Sequence, residues 1–379
     1  MSFLEYRVKF APTGIRKILY MNWPLVVLVT TVASVGFLML YSIAGGNLET
    51  WALPQMQRFG VGMVLMFIVA MVPIWFWRSM SGLAYALAFL LLLVVQFFGD
   101  VGMGAQRWID LGFIRLQPSE MMKFTLVMVL AAYYDWLDPK LVSRPFYVLL
   151  PVLLIVVPTV LVLMQPNLGT SLMLMLAGGT VMFAGGVSIW YFAAVVSLGA
   201  GAVAGVFLTR GTPWQFLYDY QYARIDTFLD PAADPLGAGY NIIQAKIALG
   251  SGGWSGKGFM QGTQSRLNFL PEKHTDFIFT TLAEEFGFVG AFSLLALYAL
   301  IIGFCLVAAF QNRDRFSALL IVGVAANFFF YIAVNLSMVM GMAPVVGVPL
   351  PLLSYGGSAM MVLLVGFGLV QSAHVHRPR

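Results

Sequence analysis

Long apolar segments alternate with short polar ones along most of this chain. A helix needs about 20 residues to cross the apolar core of a bilayer, and about ten segments come close to that length. We predict spans near residues 24–45, 59–77, 80–99, 118–136, 145–164, 168–186, 188–208, 286–310, 316–342 and 355–372. The links at residues 165–167 and 185–187 are so short that the helices they join are predicted to be antiparallel neighbours. The pattern predicts an all-α integral membrane protein.

Composition agrees with a membrane location. Of the 379 residues, 60% are hydrophobic and only 10% are charged, whereas soluble domains carry about 25% charged residues. The single cysteine, Cys305, excludes an intramolecular disulfide and lies in an apolar run. The net charge of +5 is interpreted as a mark of cytoplasmic loops rather than of nucleic-acid binding, because Lys and Arg concentrate on the inner side of membrane proteins.

The distribution of basic residues predicts the orientation. Ten spans place both termini on one side, and the short segments of that side hold eleven basic residues against three on the other. The three are Arg58, Arg107 and Arg115. The side rich in Lys and Arg is predicted to be cytoplasmic, with both termini there and the first span retained in the membrane.

One connection is much longer than the others. Residues 209–285 separate spans seven and eight on the outer face and contain eight of the 16 acidic residues. Segments 215–231 and 240–253 have the mixed apolar and polar pattern of short amphipathic helices at a membrane surface. Residues 250–259 are rich in glycine and predict a flexible hinge. We interpret 1–379 as one polytopic domain with this large outer loop.

The most unusual segment is 269–287, where five charged residues and His274 precede an apolar run. Asp276, Thr280 and Glu284 follow a helical spacing of four, which predicts one polar stripe. Thr275 or Asp276 could also be the N-cap of the helix that follows. A partly desolvated carboxylate at this boundary could have a raised pKa and act as a general base.

Other polar residues near the outer boundary have two interpretations each. Glu120 and Lys123 are three residues apart, which predicts an ion pair that either locks a helix or faces a substrate. Arg107 either anchors at headgroups or holds a phosphate. Ser354 and Tyr355 lie in a Pro- and Gly-rich segment that either breaks a helix or lines a substrate groove. Two asparagines are predicted to form interhelical hydrogen bonds, Asn327 and Asn335.

Several chemistries have no sequence support. The chain lacks a GxxxxGK[ST] phosphate loop, an HExxH motif and a GxSxG elbow. Three histidines and one cysteine do not form a pattern typical of a zinc site.

Five ordered motifs give the chain a family resemblance. They are GAQRWIDLGFIRLQPSE, QPNLGTS, FLDPAADPLGAGYNIIQAKIALGSGGWSGKGF, GTQSRLNFLPEKHTDFIF and PLPLLSYGGS. Together with the number and order of spans they resemble the SEDS proteins, the RodA/FtsW/SpoVE family, over nearly the whole chain. The amino-acid sequence around HTDFIF is more similar to the elongation (RodA) branch than to the division (FtsW) branch. Many members have Asp where this chain has Asn167, so we assign Asn167 no acid–base or metal role.

The resemblance implies a peptidoglycan glycosyltransferase of the cytoplasmic (inner) membrane. Such enzymes polymerise lipid II at the outer face and work with a class B penicillin-binding protein and other elongasome proteins. The family's essential aspartate corresponds to Asp276, and its Glu–Lys pair corresponds to Glu120 and Lys123. An inverting transfer needs one base, for which Asp276 is the candidate. The predicted substrate-binding residues are Arg107, Glu120, Lys123, Arg224, Lys273, His274, Thr275, Ser354 and Tyr355.

A pyrophosphate leaving group needs positive charge. Arg107, Lys123, Arg224 and Lys273 are the predicted sources, and a divalent cation, Mg²⁺ or Mn²⁺, is a further one. No metal-binding residue can be assigned from the sequence.

Three alternatives stay open. A lipid II flippase would carry polar groups at mid-bilayer and show internal repeats, and this chain shows neither. A division-type polymerase would have the same chemistry. A scaffold protein would explain the apolar spans but not the polar stripe at Asp276.

Overall fold

The computed structural model describes residues 14–98, 100–102, 105–110, 112, 115–212, 214, 215, 218, 222, 225, 226, 228–231, 239–266 and 272–377. A 3₁₀ helix, Gly14–Tyr20, precedes the first long helix. The helices of the described chain are α1 Trp23–Ile43, α2 Ala52–Met71, α3 Ile74–Phe98, α4 Pro118–Trp136, α5 Pro145–Met164, α6 Leu168–Ala184, α7 Ile189–Leu208, α8 Tyr240–Ser251, α9 Thr263–Arg266, α10 Ile278–Phe310, α11 Arg315–Val339 and α12 Gly357–Val375. The short strands β1 Asp100–Gly102, β2 Ala105–Asp110 and β3 Arg115–Leu116 form an antiparallel sheet.

Ten of these helices correspond to the ten predicted spans. Eight are long and apolar enough to cross a membrane. The other two are α6, which has 17 residues, and α4, which carries Glu120, Lys123 and Asp135. The predicted class, an all-α multi-pass membrane protein, is confirmed.

Local sequence explains where several helices begin. The side chains of Asn22, Asn167 and Asp314 accept hydrogen bonds from main-chain N–H groups of the first turns of α1, α6 and α11. Each satisfies a donor that the helix itself leaves unpaired. Asn167 therefore has a capping role.

Three predicted boundaries were wrong. Helix α2 begins at Ala52 rather than near residue 59, so Arg58 lies inside a helix and not in an outer loop. Helix α3 begins at Ile74 rather than near residue 80. Helix α10 begins at Ile278 and is interrupted at Gly287, whose φ of 66° and ψ of −161° are not helical. The predicted start at residue 286 marks this interruption.

Glycines permit the close packing of α2 against α12. A Cβ added to Gly62 would lie 2.5 Å from Cδ1 of Leu364, and one on Gly368 would lie 2.9 Å from the carbonyl oxygen of Met66. Any larger residue would separate the helices, which is the usual reason for small residues between membrane helices.

The first and the last long helix of the bundle meet at one end. The main-chain N–H of Asn22 donates to the side chain of Gln371 at 2.8 Å, and that side chain donates to the carbonyl of Asn22 at 3.0 Å. The start of α1 and the end of α12 thus lie side by side, as the prediction of both termini on one side requires.

The outer loop is partly described. Helix α8 lies within the predicted helical segment 240–253, and its residues Ile242, Ala245 and Ala248 are buried. Much of the other predicted helix, 215–231, lies outside the described residues. Helix α7, which leads into the loop, has no buried side chain and lies at the edge of the bundle.

Candidate active site

Asp276 lies in a tight turn, residues 272–277, immediately before α10. The turn is closed by hydrogen bonds from the main-chain N–H groups of Thr275 and Phe277 to the carbonyl of Glu272, at 3.1 and 3.4 Å. Glu272 has a φ of 54°, a backbone conformation that residues other than Gly, Asn and Asp rarely adopt. The predicted capping role of Thr275 or Asp276 was wrong, because Phe277 is the N-cap and makes no side-chain capping bond.

Three donors from other segments hold three consecutive carbonyls of this turn. The main-chain N–H of Tyr355 donates to His274 at 2.9 Å. The hydroxyl of Ser354 donates to Thr275 at 2.6 Å. The side-chain amide of Asn335 donates to Asp276 at 2.8 Å. Because the carbonyls on either side of the Asp276 Cα are held, the base of its side chain has a fixed position.

The carboxylate of Asp276 is partly buried, and this burial raises its pKa to about 6, with the negative charge of Glu272 as the second cause. One carboxylate oxygen faces the backbone of Gly347, where an added Cβ would lie 3.6 Å away. A carboxyl group with a pKa near neutrality is well matched to a general base, because it is mostly ionised at pH 7 yet retains affinity for a proton.

An aromatic cluster lies beside the turn. The ring of His274 stacks on Trp51 with centroids 4.2 Å apart, and Tyr355 meets Trp51 edge-on at 4.9 Å. Burial lowers the pKa of His274 and of Lys273, so His274 is mostly neutral at pH 7. The predicted residues His274, Thr275, Ser354 and Tyr355 are therefore brought together with Asp276.

The predicted Glu120–Lys123 pair is confirmed, with Lys123 Nζ 2.7 Å from Glu120 Oε1. Tyr331 of α11 joins it: its hydroxyl donates to Glu120 Oε2 at 2.5 Å and accepts from Lys123. Lys123 is 1% exposed and Glu120 is 6% exposed. Since both charges are buried, the pair and the tyrosine satisfy groups that would be very costly alone.

A small cleft of about 20 Å³ lies beside this triad. Glu120 and Tyr331 lie on one wall, and Ser354, which holds the turn, lies on the wall formed by residues 349–356. Met360 and Leu363 of α12 make its lining largely apolar. The cleft thus places Glu120 and Tyr331 near the segment that holds the Asp276 turn.

Arg107, for which the sequence left a headgroup anchor and a phosphate ligand as alternatives, binds main-chain carbonyls of the protein. Its guanidinium donates to the carbonyl of Gln165 at 2.9 Å and also to that of Pro166. These bonds tie β2 to the turn between α5 and α6. They occupy donors that a phosphate would otherwise use, so the predicted phosphate contact has no support at this residue.

Two other basic side chains were predicted to bind the pyrophosphate, Arg224 and Lys273. Arg224 lies outside the described residues. Lys273 is half-buried in the turn next to Asp276.

The described residues do not form a complete binding site for the predicted divalent cation from protein side chains alone. Among the described residues, no three His, Cys, Asp or Glu side chains come together as they would around a metal. Mg²⁺ is commonly bound by one or two carboxylates plus substrate phosphates. Asp276 and the adjacent Glu272 fit that mode, and their use by a cation remains a prediction.

The predicted polar stripe was only partly correct. Asp276 precedes the helix, and the hydroxyl of Thr280 is used within α10 on the carbonyl of Phe277 at 2.6 Å. Glu284 is fully buried and faces the outer loop, where its Oε1 accepts from Lys257 at 2.6 Å and from the main-chain N–H groups of Thr263 and Gln264 at 2.9 and 3.1 Å.

The two glutamates after the site therefore hold the glycine-rich segment 252–264. Glu285 accepts from the hydroxyl of Ser42 at 2.5 Å, and its main-chain carbonyl accepts from Gly258 at 3.0 Å. A Cβ on Gly256 would lie 2.1 Å from that same carbonyl oxygen. The prediction of a flexible hinge at 250–259 was wrong, because its glycines permit close docking onto α10.

The two asparagines of α11 behave differently. Asn335 holds the carbonyls of Asp276 and Val348, so it joins loops rather than helices. Asn327 is equally buried, yet neither of its side-chain polar atoms has a hydrogen-bond partner in the described structure. The predicted interhelical bonds are thus absent for both residues within that part of the chain.

Sequence reasoning missed four residues at the site: Trp51, Gln55, Arg58 and Tyr331. Gln55 donates to the carbonyl of Ser354 at 3.0 Å and accepts from the N–H of Gly356 at 3.3 Å. A polar residue in an apolar span was the available signal for Gln55 and Arg58. It was overlooked because the start of α2 was placed too late.

Comparison with known proteins identifies the family. The family described as "Cell cycle protein" (FtsW, RodA and SpoVE) matches residues 19–379. The chain belongs to this family. It is 44% identical to the peptidoglycan glycosyltransferase MrdB of Escherichia coli K12 over 326 residues, 85% of each chain. It is 33% identical to the probable peptidoglycan glycosyltransferase FtsW of Coxiella burnetii over 315 residues, 82% of each chain.

Solved structures share the fold. A chain from a structure on the coordination of polymerization and crosslinking by a peptidoglycan synthase complex superposes with a TM-score of 0.80 at 31% identity, covering 93% of this chain and 97% of that one. The rod shape determining protein RodA of Thermus thermophilus gives a TM-score of 0.71 at 28% identity, covering 94% and 97%. The family and fold inferred from the motifs are confirmed.

Proposed function

We propose that this chain is a peptidoglycan glycosyltransferase that polymerises lipid II at the outer face of the cytoplasmic membrane, with Asp276 as the general base. The observation that carries this proposal is a partly buried carboxylate with a pKa of about 6, on a turn whose carbonyls are held by Tyr355, Ser354 and Asn335. Curated relatives at 33–44% identity have the same activity in their names.

The reaction requires one proton acceptor. The acceptor-sugar hydroxyl attacks the anomeric carbon of the donor sugar, a new C–O bond forms, and the bond from that carbon to the pyrophosphate breaks. Asp276 takes the hydroxyl proton, and the bond's electron pair leaves on the polyprenyl pyrophosphate. An α-linked donor gives a β-1,4-linked product, so a single displacement with inversion accounts for the stereochemistry.

The surroundings of Asp276 suit this role. Its neighbour His274 has a lowered pKa and stacks on Trp51, so this ring adds an apolar surface rather than a competing positive charge at pH 7. Held carbonyls keep the carboxylate in place, and pre-positioning of a catalytic group is worth large factors in rate. A divalent cation, when bound, would neutralise charge on the pyrophosphate.

The elongation role and the partner are part of the proposal. Identity is higher to MrdB than to FtsW, 44% against 33%, which favours elongation over division. The matched peptidoglycan synthase complex couples polymerization with crosslinking, which supports a class B penicillin-binding protein as partner. Other elongasome proteins, and an inner-membrane location with cytoplasmic termini, follow from the same proposal.

Polymerisation of labelled lipid II by the purified protein, with and without its penicillin-binding partner, tests the function. Asp276→Asn should abolish glycan strands while the protein stays folded. A flippase would instead change the accessibility of lipid II across proteoliposomes, without making strands. A scaffold would support growth of cells that carry Asp276→Asn.

A further inference from the structure

Arg58 is a cation at the outer end of the bundle for which the proposed reaction has so far no use. It lies in the second turn of α2, and its guanidinium carbon is 4.7 Å from the ring centroid of Tyr355. Its Nη1 is buried but has no hydrogen-bond partner, and no salt bridge between described residues includes it. A buried guanidinium donor without a partner is costly and calls for a ligand.

The guanidinium lies against the start of α12. A Cβ added to Gly357, the first residue of that helix, would be 3.4 Å from Nε of Arg58. The N-cap is Gly356, and no side chain caps the first turn. The hydroxyl of Ser358 in the same turn is also without a partner, although Ser358 is 1% exposed. The helix start thus adds unpaired donors and a positive dipole end beside the arginine.

The same helix start forms part of the cleft. Gly356, Ala359 and Met360 line it together with Ser354, and Ser354 holds the turn of Asp276. The arginine, the unpaired donors of α12 and the candidate base are therefore joined through residues 354–357. An anion bound there would lie between the catalytic turn and the apolar part of the cleft.

Four other basic residues of this end are engaged with protein groups. Lys123 is paired with Glu120, Lys257 with Glu284, and Arg115 with Asp110. Arg107 donates to main-chain carbonyls.

We propose that Arg58 and the first turn of α12 bind a pyrophosphate group, the chemistry shared by the lipid-linked sugar donor and the released polyprenyl pyrophosphate. The proposal rests on the proposed function and adds the site that holds the leaving group. A planar guanidinium beside the N–H groups of a helix start matches phosphate oxygens in both charge and geometry. Tyr355 orients the guanidinium through its ring, and Gly357 leaves room beside it.

The test measures initial polymerisation rates against lipid II concentration, with inorganic pyrophosphate and polyprenyl pyrophosphate as separate competitors. Arg58→Met, which keeps length but removes the charge, should lower kcat/KM by about tenfold to hundredfold, as expected for loss of a charged hydrogen bond. It should also weaken inhibition by inorganic pyrophosphate about tenfold. Arg115→Met is the matched control, because Arg115 is exposed at the same end and pairs with Asp110, and it should behave as the wild type.

Two arms distinguish the source of the anion. If the lipid-linked donor occupies the site, Arg58→Met should raise the KM for lipid II. If the released product occupies it, Arg58→Met should weaken inhibition by polyprenyl pyrophosphate. Either result supports the proposal. A folded Arg58→Met protein with unchanged kcat/KM and unchanged inhibition by both competitors overturns it. If that variant does not fold, Arg58→Gln serves instead, because it removes the charge but keeps a polar side chain, and unchanged kinetics there also overturn the proposal.

Failure of this inference is distinguishable from failure of the proposed function. A wild-type protein that makes no glycan strands contradicts the function itself. A wild-type protein that polymerises, with an Arg58→Met variant equal to it, contradicts only the anion site.

Discussion

The side-chain amide of Asn335 donates a 2.8 Å hydrogen bond to the main-chain carbonyl of Asp276. The same nitrogen donates to the carbonyl of Val348 at 2.7 Å. One asparagine of α11 thus joins the Asp276 turn to the segment that packs against the Asp276 carboxylate. The position of the candidate base therefore depends on a residue that touches none of the reacting atoms.

Asn335→Ala tests this positioning role. Two buried carbonyls lose their donor, which should destabilise the protein by about 1–3 kcal/mol for each carbonyl. The loosened carboxylate should lower kcat by about tenfold to hundredfold, with little change in the KM for lipid II. Thermal unfolding and steady-state polymerisation measure the two effects.

Asn327→Ala is the matched control for that variant. Asn327 lies on the same helix and is equally buried, but its side chain has no hydrogen-bond partner among the described residues. It should leave kcat unchanged. Equal losses in both variants would assign the effect to packing of α11 rather than to the Asp276 turn.

The pH dependence of polymerisation should report Asp276. A general base must be ionised, so the rate should fall as the pH drops through about 6, the value to which burial raises the pKa of this carboxyl. Glu272 is the second cause of the raised pKa. Glu272→Gln should therefore move the acidic limb to lower pH, whereas Glu49→Gln, an exposed glutamate, should not. A limb that moves upward in Glu272→Gln would contradict the assignment.

The buried triad separates stability from activity. Lys123→Met should destabilise the protein by about 3–5 kcal/mol, because the buried Glu120 loses its counter-charge. The double variant Glu120→Gln/Lys123→Met should regain most of that stability. Its polymerisation rate should stay low, because Glu120 also lines the cleft. Recovery of both properties in the double variant would mean that the pair only locks α4.

Glu284 should keep the outer loop docked. Its Oε1 accepts four hydrogen bonds from Lys257, Thr263 and Gln264. In Glu284→Gln the charge is lost, and hydrogen exchange in segment 252–264 should become faster. Exchange in α12 serves as the internal reference, and an unchanged rate in 252–264 would show that the glycine contacts alone hold the segment.

Much of this architecture could be predicted from the sequence. Apolar segment length gave the ten long helices, and the motif around HTDFIF gave Asp276 and its neighbours. Helix spacing gave the Glu120–Lys123 pair, which is confirmed at 2.7 Å. These features depend on residues close together in sequence or on the long apolar pattern.

The errors arose where contacts are distant in sequence. Tyr331 joins Glu120 across 211 positions, and Gln55 joins Ser354 across 299. Periodicity carries no information about such pairs. Glycine was also ambiguous: in segment 252–264 it permits docking rather than flexibility, which only the contacts with Glu285 reveal.

The most direct measurement compares lipid II polymerisation by the wild type and by Asp276→Asn, together with their thermal stability above pH 7. Burial raises the pKa of Asp276, so the ionised carboxylate destabilises the fold above pH 6. A shift from 3.8 to about 6 corresponds to up to about 3 kcal/mol. Asp276→Asn is predicted to be at least as stable as the wild type and to make no glycan strands. Polymerisation at the wild-type rate by the folded variant would contradict the account.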